Sequence, residues 1–423
     1  MNIKPISRWI AFLMYMLFGI SDLKAQGHRC GTMLVLENAF KSNPSLRAKF
    51  EKQTLEIQQS VKTRISSATQ TFRIYQDVVY IPIVFHIVLT NPAVVTDAQI
   101  HAQLNSLNKD FAGMNSDSVN IPAAFKPLFG KSHIQFTLAQ RTPDDKPTTG
   151  IVRTTTTHVA YGTYDNSLKY SSLGGDDAWD HNNYLNVWVT NLGGGYVLGY
   201  ATYPGASVPE EDGVVILYTT LPGGAFAPFN KGRTLTHETG HYFYLYHIWG
   251  DDNGCAGTDY VDDTPNQTTL TGGCPNGNVI TDACTPTPPG VLYEDYMDYT
   301  DDACMSLFTN DQVTRMETTL NDYRAGYFTS NGAIPVNPNL IAKGFMVTPN
   351  PTTGIIAVQL YPNSATLKGI FIYNSSGQKV AAQLVNDAMT TYYPFNLGHF
   401  ASGVYIVQAI FSDKTYTQKV IKQ

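Results

Sequence analysis

The sequence predicts an α+β fold: a twisted sheet leading into one motif-bearing helix, a loop-rich subdomain after that helix, and a separate small all-β sandwich at the end. Three observations carry this reading. Dense β-branched and aromatic runs, of which DVVYIPIVFHIVLT at residues 77–90 is the longest, precede the helical stretch HETGHYFYLYH at residues 237–247. A chain of 423 residues is longer than one ordinary core serves. Past the Pro/Asn/Gly-rich stretch TSNGAIPVNPNL, residues 329–340, apolar and polar residues alternate between the turn signals NPTTG, NSSGQ and ASG.

The elements follow in chain order. Residues 1–25 carry Lys4 and Arg8 ahead of an apolar run from Trp9 to Ile20, the pattern of a secretory signal peptide cut after Ala25; the run is shorter than the roughly 20 residues that span a bilayer. Residues 26–64 are polar and helix-like, a short pro-segment rather than a domain. After the strand at 77–90, Thr96 and Asp97 open a helix with Ile100, Leu104, Leu107 and Phe111 at helical spacing. HIQFTLAQR, YLNVWVTNL and GVVILYTT read as further strands. From Gly250 to about Pro289 the composition is that of loops, and a last helix runs from about Asn310 to Tyr323.

A net charge of −6 gives none of the basic excess that nucleic acid or an anionic membrane would require. Export places the five cysteines in an oxidising compartment. Four of them, Cys255, Cys274, Cys284 and Cys304, cluster after the histidine stretch and imply two disulfides, for which the sequence permits three pairings; Cys30 is the odd thiol.

On a helix, His237 and His241 share one face, and Glu238 lies beside it. His247 supplies a third ligand. Three protein ligands leave a tetrahedral zinc one open position, where the ion acidifies a water and polarises a carbonyl while Glu238 takes the proton. A structural zinc site would be closed and rich in cysteine, so the glutamate points to catalysis.

HETGHYFYLYH resembles the long zinc signature HExxHxxGxxH of the metzincin clan. With GRTLTHETGH, HIWGDDNGC, DYVDDTP and EDYMDYTDDACMSLFTNDQVTRM, the stretch from about Arg29 to Tyr327 resembles the pappalysin/cytophagalysin family of secreted bacterial metalloproteases. The resemblance implies a metzincin-like fold and a zinc endopeptidase acting on proteins or peptides. It also implies Met297 as the methionine-turn residue beneath the metal, Tyr299 as the tyrosine that stabilises the tetrahedral intermediate, and the pairs Cys255–Cys284 and Cys274–Cys304. Cys30, in HRCGT, looks like the family's pro-segment cysteine, a thiolate that would close the open zinc position and keep the enzyme latent. Related proteases bind calcium in the acidic loop, where Asp259, Asp262 and Thr264 are the candidate ligands. Asp301 and Asp302 are expected to be solvent-exposed, with a basic-substrate pocket as the other reading.

The departure from the family pattern is Tyr244, which stands where the signature has glycine. It motivates an alternative function, a zinc-containing surface adhesin that has lost catalysis. A strained turn at Tyr244 costs roughly 1–2 kcal/mol, less than metal binding returns. The final residues, with TPNPTTG, SGVYIVQ and the terminal KVIKQ, resemble the C-terminal sorting domain of the type IX secretion system, an address for the outer surface of a bacterium or its surroundings. The expected organisation is a signal peptide (1–25), pro-segment (26–64), catalytic domain (65–328), linker (329–342) and sorting sandwich (343–423).

Overall fold

The structure is a computed structural model and describes residues 29–66, 78–193, 196–252, 254–336, 344–360, 365–385 and 390–423. The expected signal peptide lies outside the described residues. Among the described residues, no helix is long and apolar enough to cross a membrane.

The catalytic region is built on a mixed sheet whose centre is β1 (Val79–Leu89). Nine consecutive residues of β1 are buried, because neighbours cover both of its faces and both of its edges. One edge carries β2 (Ile134–Leu138) and then β3 (Ile151–Thr155), placed end to end; the other carries β4 (Leu185–Thr190), with β6 (Val214–Leu217) beyond it. All of these run parallel. β5 (Gly199–Ala201) closes the far edge antiparallel to β6.

Helix α3 (Asp97–Phe111) begins with a capping box between Thr96 and Gln99 and drives Ile100, Leu104, Leu107 and Phe111 into the main core. The motif helix α4 (Arg233–Tyr242) packs under the sheet and is buried along its whole length. Its first residue, Arg233, is held by Asp110 at 2.9 Å and Asp117 at 2.8 Å, which fixes the helix against α3. Strand and helix approach so closely that a Cβ on Gly199 would stand 2.9 Å from Glu238 Cγ, so glycine is required there.

The segment after α4 is loop-rich, held by the Cys255–Cys284 and Cys274–Cys304 disulfides and by the short pair β7 (Gly272–Gly273) and β8 (Tyr299–Thr300). Helix α5 (Asn310–Tyr323) has its own capping box, between Thr309 and Gln312. At the N-terminal side the segment expected as a pro-segment forms α1 (Thr32–Ser42) and α2 (Pro44–Ser66); α2 continues two residues past the expected boundary at residue 64. The face of α2 bearing Phe50, Gln53, Thr54, Ile57 and Val61 is buried against the catalytic region.

Residues from Phe345 onward form two antiparallel sheets around a separate core. One comprises β9 (Phe345–Thr348), β10 (Ile355–Leu360) and β13 (Tyr392–Asn396); the other comprises β11 (Leu367–Asn374), β12 (Lys379–Leu384), β14 (Gly403–Phe411) and β15 (Thr415–Lys422). Val347, Ile356, Val358, Ile370, Ile372 and Val407 share that core. The period of two along each strand puts these residues on inner faces.

Candidate metal centre and active site

His237 and His241, one helical turn apart on α4, project to the same side. The helix then ends in a Schellman motif: Leu245 N–H donates to Gly240 O at 3.0 Å and Tyr244 N–H to His241 O at 2.8 Å. Tyr244 occupies the left-handed position of this motif with φ 72°. The chain therefore turns where the glycine of the zinc signature turns it, and His247 comes back to face the other two histidines.

The three Nε2 atoms lie 3.1–3.2 Å apart. Each Nδ1 faces an acceptor: Tyr296 O at 2.6 Å for His237, Leu245 O at 2.7 Å for His241 and Asp251 Oδ1 at 2.6 Å for His247. An Nδ1 that donates leaves its Nε2 with a lone pair, so three lone pairs converge on one point, which is unfavourable unless a cation sits there. Zinc–nitrogen bonds of about 2.0–2.1 Å in a tetrahedron place nitrogens about 3.3 Å apart, close to the spacing observed. Burial, followed by the neighbouring His247, pushes the His237 pKa down to about 3, and burial and its two neighbours push His241 well below its ordinary value; both rings are held neutral, as ligands must be.

The fourth member of the cluster is Cys30, whose Sγ lies within 4.8 Å of the histidine nitrogens. The N-terminal segment reaches this point by running along the edge strand: Gly31 N–H donates to Gly199 O at 2.8 Å and Leu198 N–H to Arg29 O at 2.7 Å. Burial and the nearby Glu238 carboxylate push the Cys30 thiol well up, whereas a cation at the focus acts in the opposite sense. Glu238 is buried and lifted to about 8 by desolvation; its Oε2 receives Thr32 Oγ1 at 2.8 Å and Cys30 Sγ at 3.3 Å.

Met297 is fully buried directly under α4, close enough that a Cβ on Gly240 would sit 2.5 Å from its sulfur. The Tyr299 ring lies 5.7 Å from that of His237 and 5.0 Å from that of His247, and its hydroxyl accepts from Cys30 N–H at 3.2 Å. Among the calcium candidates, Asp259 and Thr264 are joined by a 2.7 Å hydrogen bond and both are buried, while Asp262 is exposed.

Asp302 corrects an expectation: it is buried, not solvated, and accepts from Lys231 N–H at 2.7 Å at the start of α4. It lines a small cavity together with Arg29, Phe229, Thr234, Glu238 and Asp298. The Arg29 guanidinium lies 4.1 Å over the Phe229 ring and donates to Tyr299 O. Sequence reasoning missed Asp251, Tyr203 and Thr32 as partners of the site. Asp251 stands four residues after His247 and was legible as a spacing, whereas Tyr203, whose hydroxyl reaches Leu245 O at 3.0 Å, and Thr32 carry no local signal.

Comparison with known proteins agrees with this geometry. Residues 169–321 match the family described as pregnancy-associated plasma protein-A, and residues 346–423 match the secretion system C-terminal sorting domain. An extracellular metalloprotease of Colletotrichum graminicola is 34% identical over 257 residues, 58% of this chain and 77% of that protein. Tannerella forsythia mature mirolysin, solved with a cleaved peptide, is 45% identical with a TM-score of 0.59, covering 62% of this chain and all of that one. A Tannerella forsythia promirolysin mutant is 40% identical with a TM-score of 0.64, covering 74% of this chain and all of that one. The chain therefore belongs to the pappalysin family: it is a secreted or cell-surface metalloendopeptidase that carries a C-terminal type IX sorting domain.

Proposed function

We propose that this metalloprotease is a zinc endopeptidase made as a latent precursor, with His237, His241 and His247 as the metal ligands and Cys30 as the fourth ligand of the latent form. The observation that carries the reading is the convergence of three Nε2 lone pairs and the Cys30 sulfur on one buried point beside Glu238. When bound, zinc acidifies a water at its open position and polarises the scissile carbonyl. Once the pro-segment is gone, Glu238 is released from Thr32 and Cys30 and is free to take the proton of the attacking water and deliver it to the leaving amine. Tyr299, released from Cys30 N–H and kept protonated by burial, donates to the developing oxyanion. Met297 packs beneath α4 and holds it at a fixed height.

The complete ligand set with its glutamate supports catalysis over the adhesin reading. The sorting domain directs the protein to the type IX machinery, and the substrates are proteins. Asp259 and Thr264, buried in the acidic loop, are the remaining calcium candidates; a thermal shift on adding calcium that vanishes in Asp259→Ala supports them.

The surroundings of Arg29 suggest that the processed enzyme accepts a basic side chain there, because Phe229 offers its ring face and Asp301, followed by Asp298 and Asp302, favours the positive charge.

The decisive experiment uses the processed protein on casein with zinc content measured in parallel. The expected result is activity abolished by chelation, and a Glu238→Ala variant that is inert while retaining stoichiometric zinc. Substantial casein cleavage by Glu238→Ala overturns the mechanism.

A further inference from the structure

Tyr244 has two unusual properties at once. It adopts a left-handed backbone conformation that glycine adopts without strain, and its side chain is completely buried. It is buried between helix α2 and the body's own Tyr203 and Tyr246, whose rings lie 5.2 Å and 6.2 Å away. Phe50 of α2 stacks on the Tyr244 ring with centroids 5.3 Å apart and planes 16° apart. The Tyr244 hydroxyl lies 3.2 Å from Thr54 Oγ1 and 3.3 Å from Phe50 O, and Tyr246 reaches the same threonine at 3.0 Å. Phe50 also meets Tyr203 edge to face at 5.3 Å, and Tyr203 in turn touches the Leu245 carbonyl that orients His241. From the body side, Arg315 Nε donates to the Tyr244 carbonyl at 2.8 Å.

We infer that Tyr244 is a docking point for pro-segment helix α2, a second latch separate from Cys30, and that α2 in return braces the turn presenting His247. The occupant of this tyrosine face is residues 44–66 of the same chain. The geometry explains why a residue with a poor backbone fit stands at this turn: the ring supplies apolar area and a hydroxyl that glycine lacks, and α2 uses both. When α2 departs, the ring loses Phe50 and Thr54 while the backbone strain remains. The substitution Tyr244→Gly therefore acts differently in the two forms, removing the latch in the precursor and relieving strain in the processed enzyme.

The proposal rests on the latent-precursor reading, and the experiment separates the two. A site-specific protease sequence placed within residues 67–77 of the full chain, in a Glu238→Ala background, allows the pro-segment to be cut without self-processing. Release of the cut segment is followed by size exclusion in the presence of a chelator, which disables the Cys30 latch. The expected result is slow release from the parent, and release about tenfold faster in both Phe50→Ala and Tyr244→Gly, the scale of one aromatic stack with its hydrogen bonds. The two substitutions combined add little beyond either one, because they remove the same contact. In thermal melts Tyr244→Gly lowers the uncut form by several degrees, about 3 °C or more, and leaves the released form unchanged or raised. Equal losses in both forms, or unchanged release in Phe50→Ala, overturn the second latch. A Glu238-intact chain that cleaves casein equally well before and after cutting overturns latency instead, and the release assay still reads the Tyr244 contact.

Discussion

Thr32 Oγ1 donates to Glu238 Oε2 at 2.8 Å and accepts from Ala201 N–H at 2.9 Å, so one N-terminal hydroxyl ties down both the proposed catalytic carboxylate and the edge strand. In Thr32→Val the shape is kept, but the Ala201 N–H and Glu238 each lose a partner. A buried unsatisfied group costs about 1–3 kcal/mol, so the precursor is expected to leak activity roughly tenfold faster. The lag before casein cleavage by freshly purified precursor measures this, and an unchanged lag removes Thr32 from the latch.

Asp251 Oδ1 lies 2.6 Å from His247 Nδ1 and leaves Nε2 of that ring facing the other two histidines, the nitrogen proposed to bind zinc. Asp251→Ala is expected to weaken zinc retention by about 10–100-fold without altering the ligand set. Competition with a chromogenic chelator reads the affinity directly.

The Arg29 pocket predicts a substrate preference. Peptides differing only by arginine against norleucine at the residue entering this pocket are expected to differ by tenfold or more in kcat/KM. Phe229→Ala removes a cation–π contact worth about 0.5–2 kcal/mol and is expected to reduce the arginine advantage selectively. Equal loss on both peptides would mean that Phe229 is structural.

Asp212 provides a pH test away from the metal. Burial alone would raise its pKa, but the ion pair with Arg324 at 2.7 Å and hydrogen bonds from His181 and Thr202 outweigh burial and hold the carboxyl well below the usual range. A depressed folded pKa contributes stability that is fully present above the unfolded value near pH 4 and is lost as pH falls through the folded one. Asp212→Asn is thus expected to cost about 3 kcal/mol at neutral pH, with the gap to the parent closing only in strong acid. Denaturant midpoints across pH 2–7 give the curve.

Much of the site was legible because its chemistry is local. His237 and His241 fall on one helical face by spacing alone with Glu238 beside it, and the capping residue Thr96 announces a helix that the structure contains. The antiparallel sheets of the sorting region were legible for the same reason, since alternation with period two is a property of neighbouring residues. The solvated reading of Asp302 failed because burial depends on what packs over a residue, and here that is the start of α4.

The sequence by itself determined the inventory of the active site: three histidines, a glutamate, an odd cysteine and a tyrosine in place of glycine, each identified by type and spacing. Tertiary structure decided what they meet. Whether the Tyr244 ring finds a partner, whether Cys30 reaches the histidine focus, and whether Arg29 finds acidic company all depend on contacts between segments more than 150 residues apart. Spacing fixes direction along one helix, but only the packing of α2 and the edge strand against α4 brings those distant groups into bonding range.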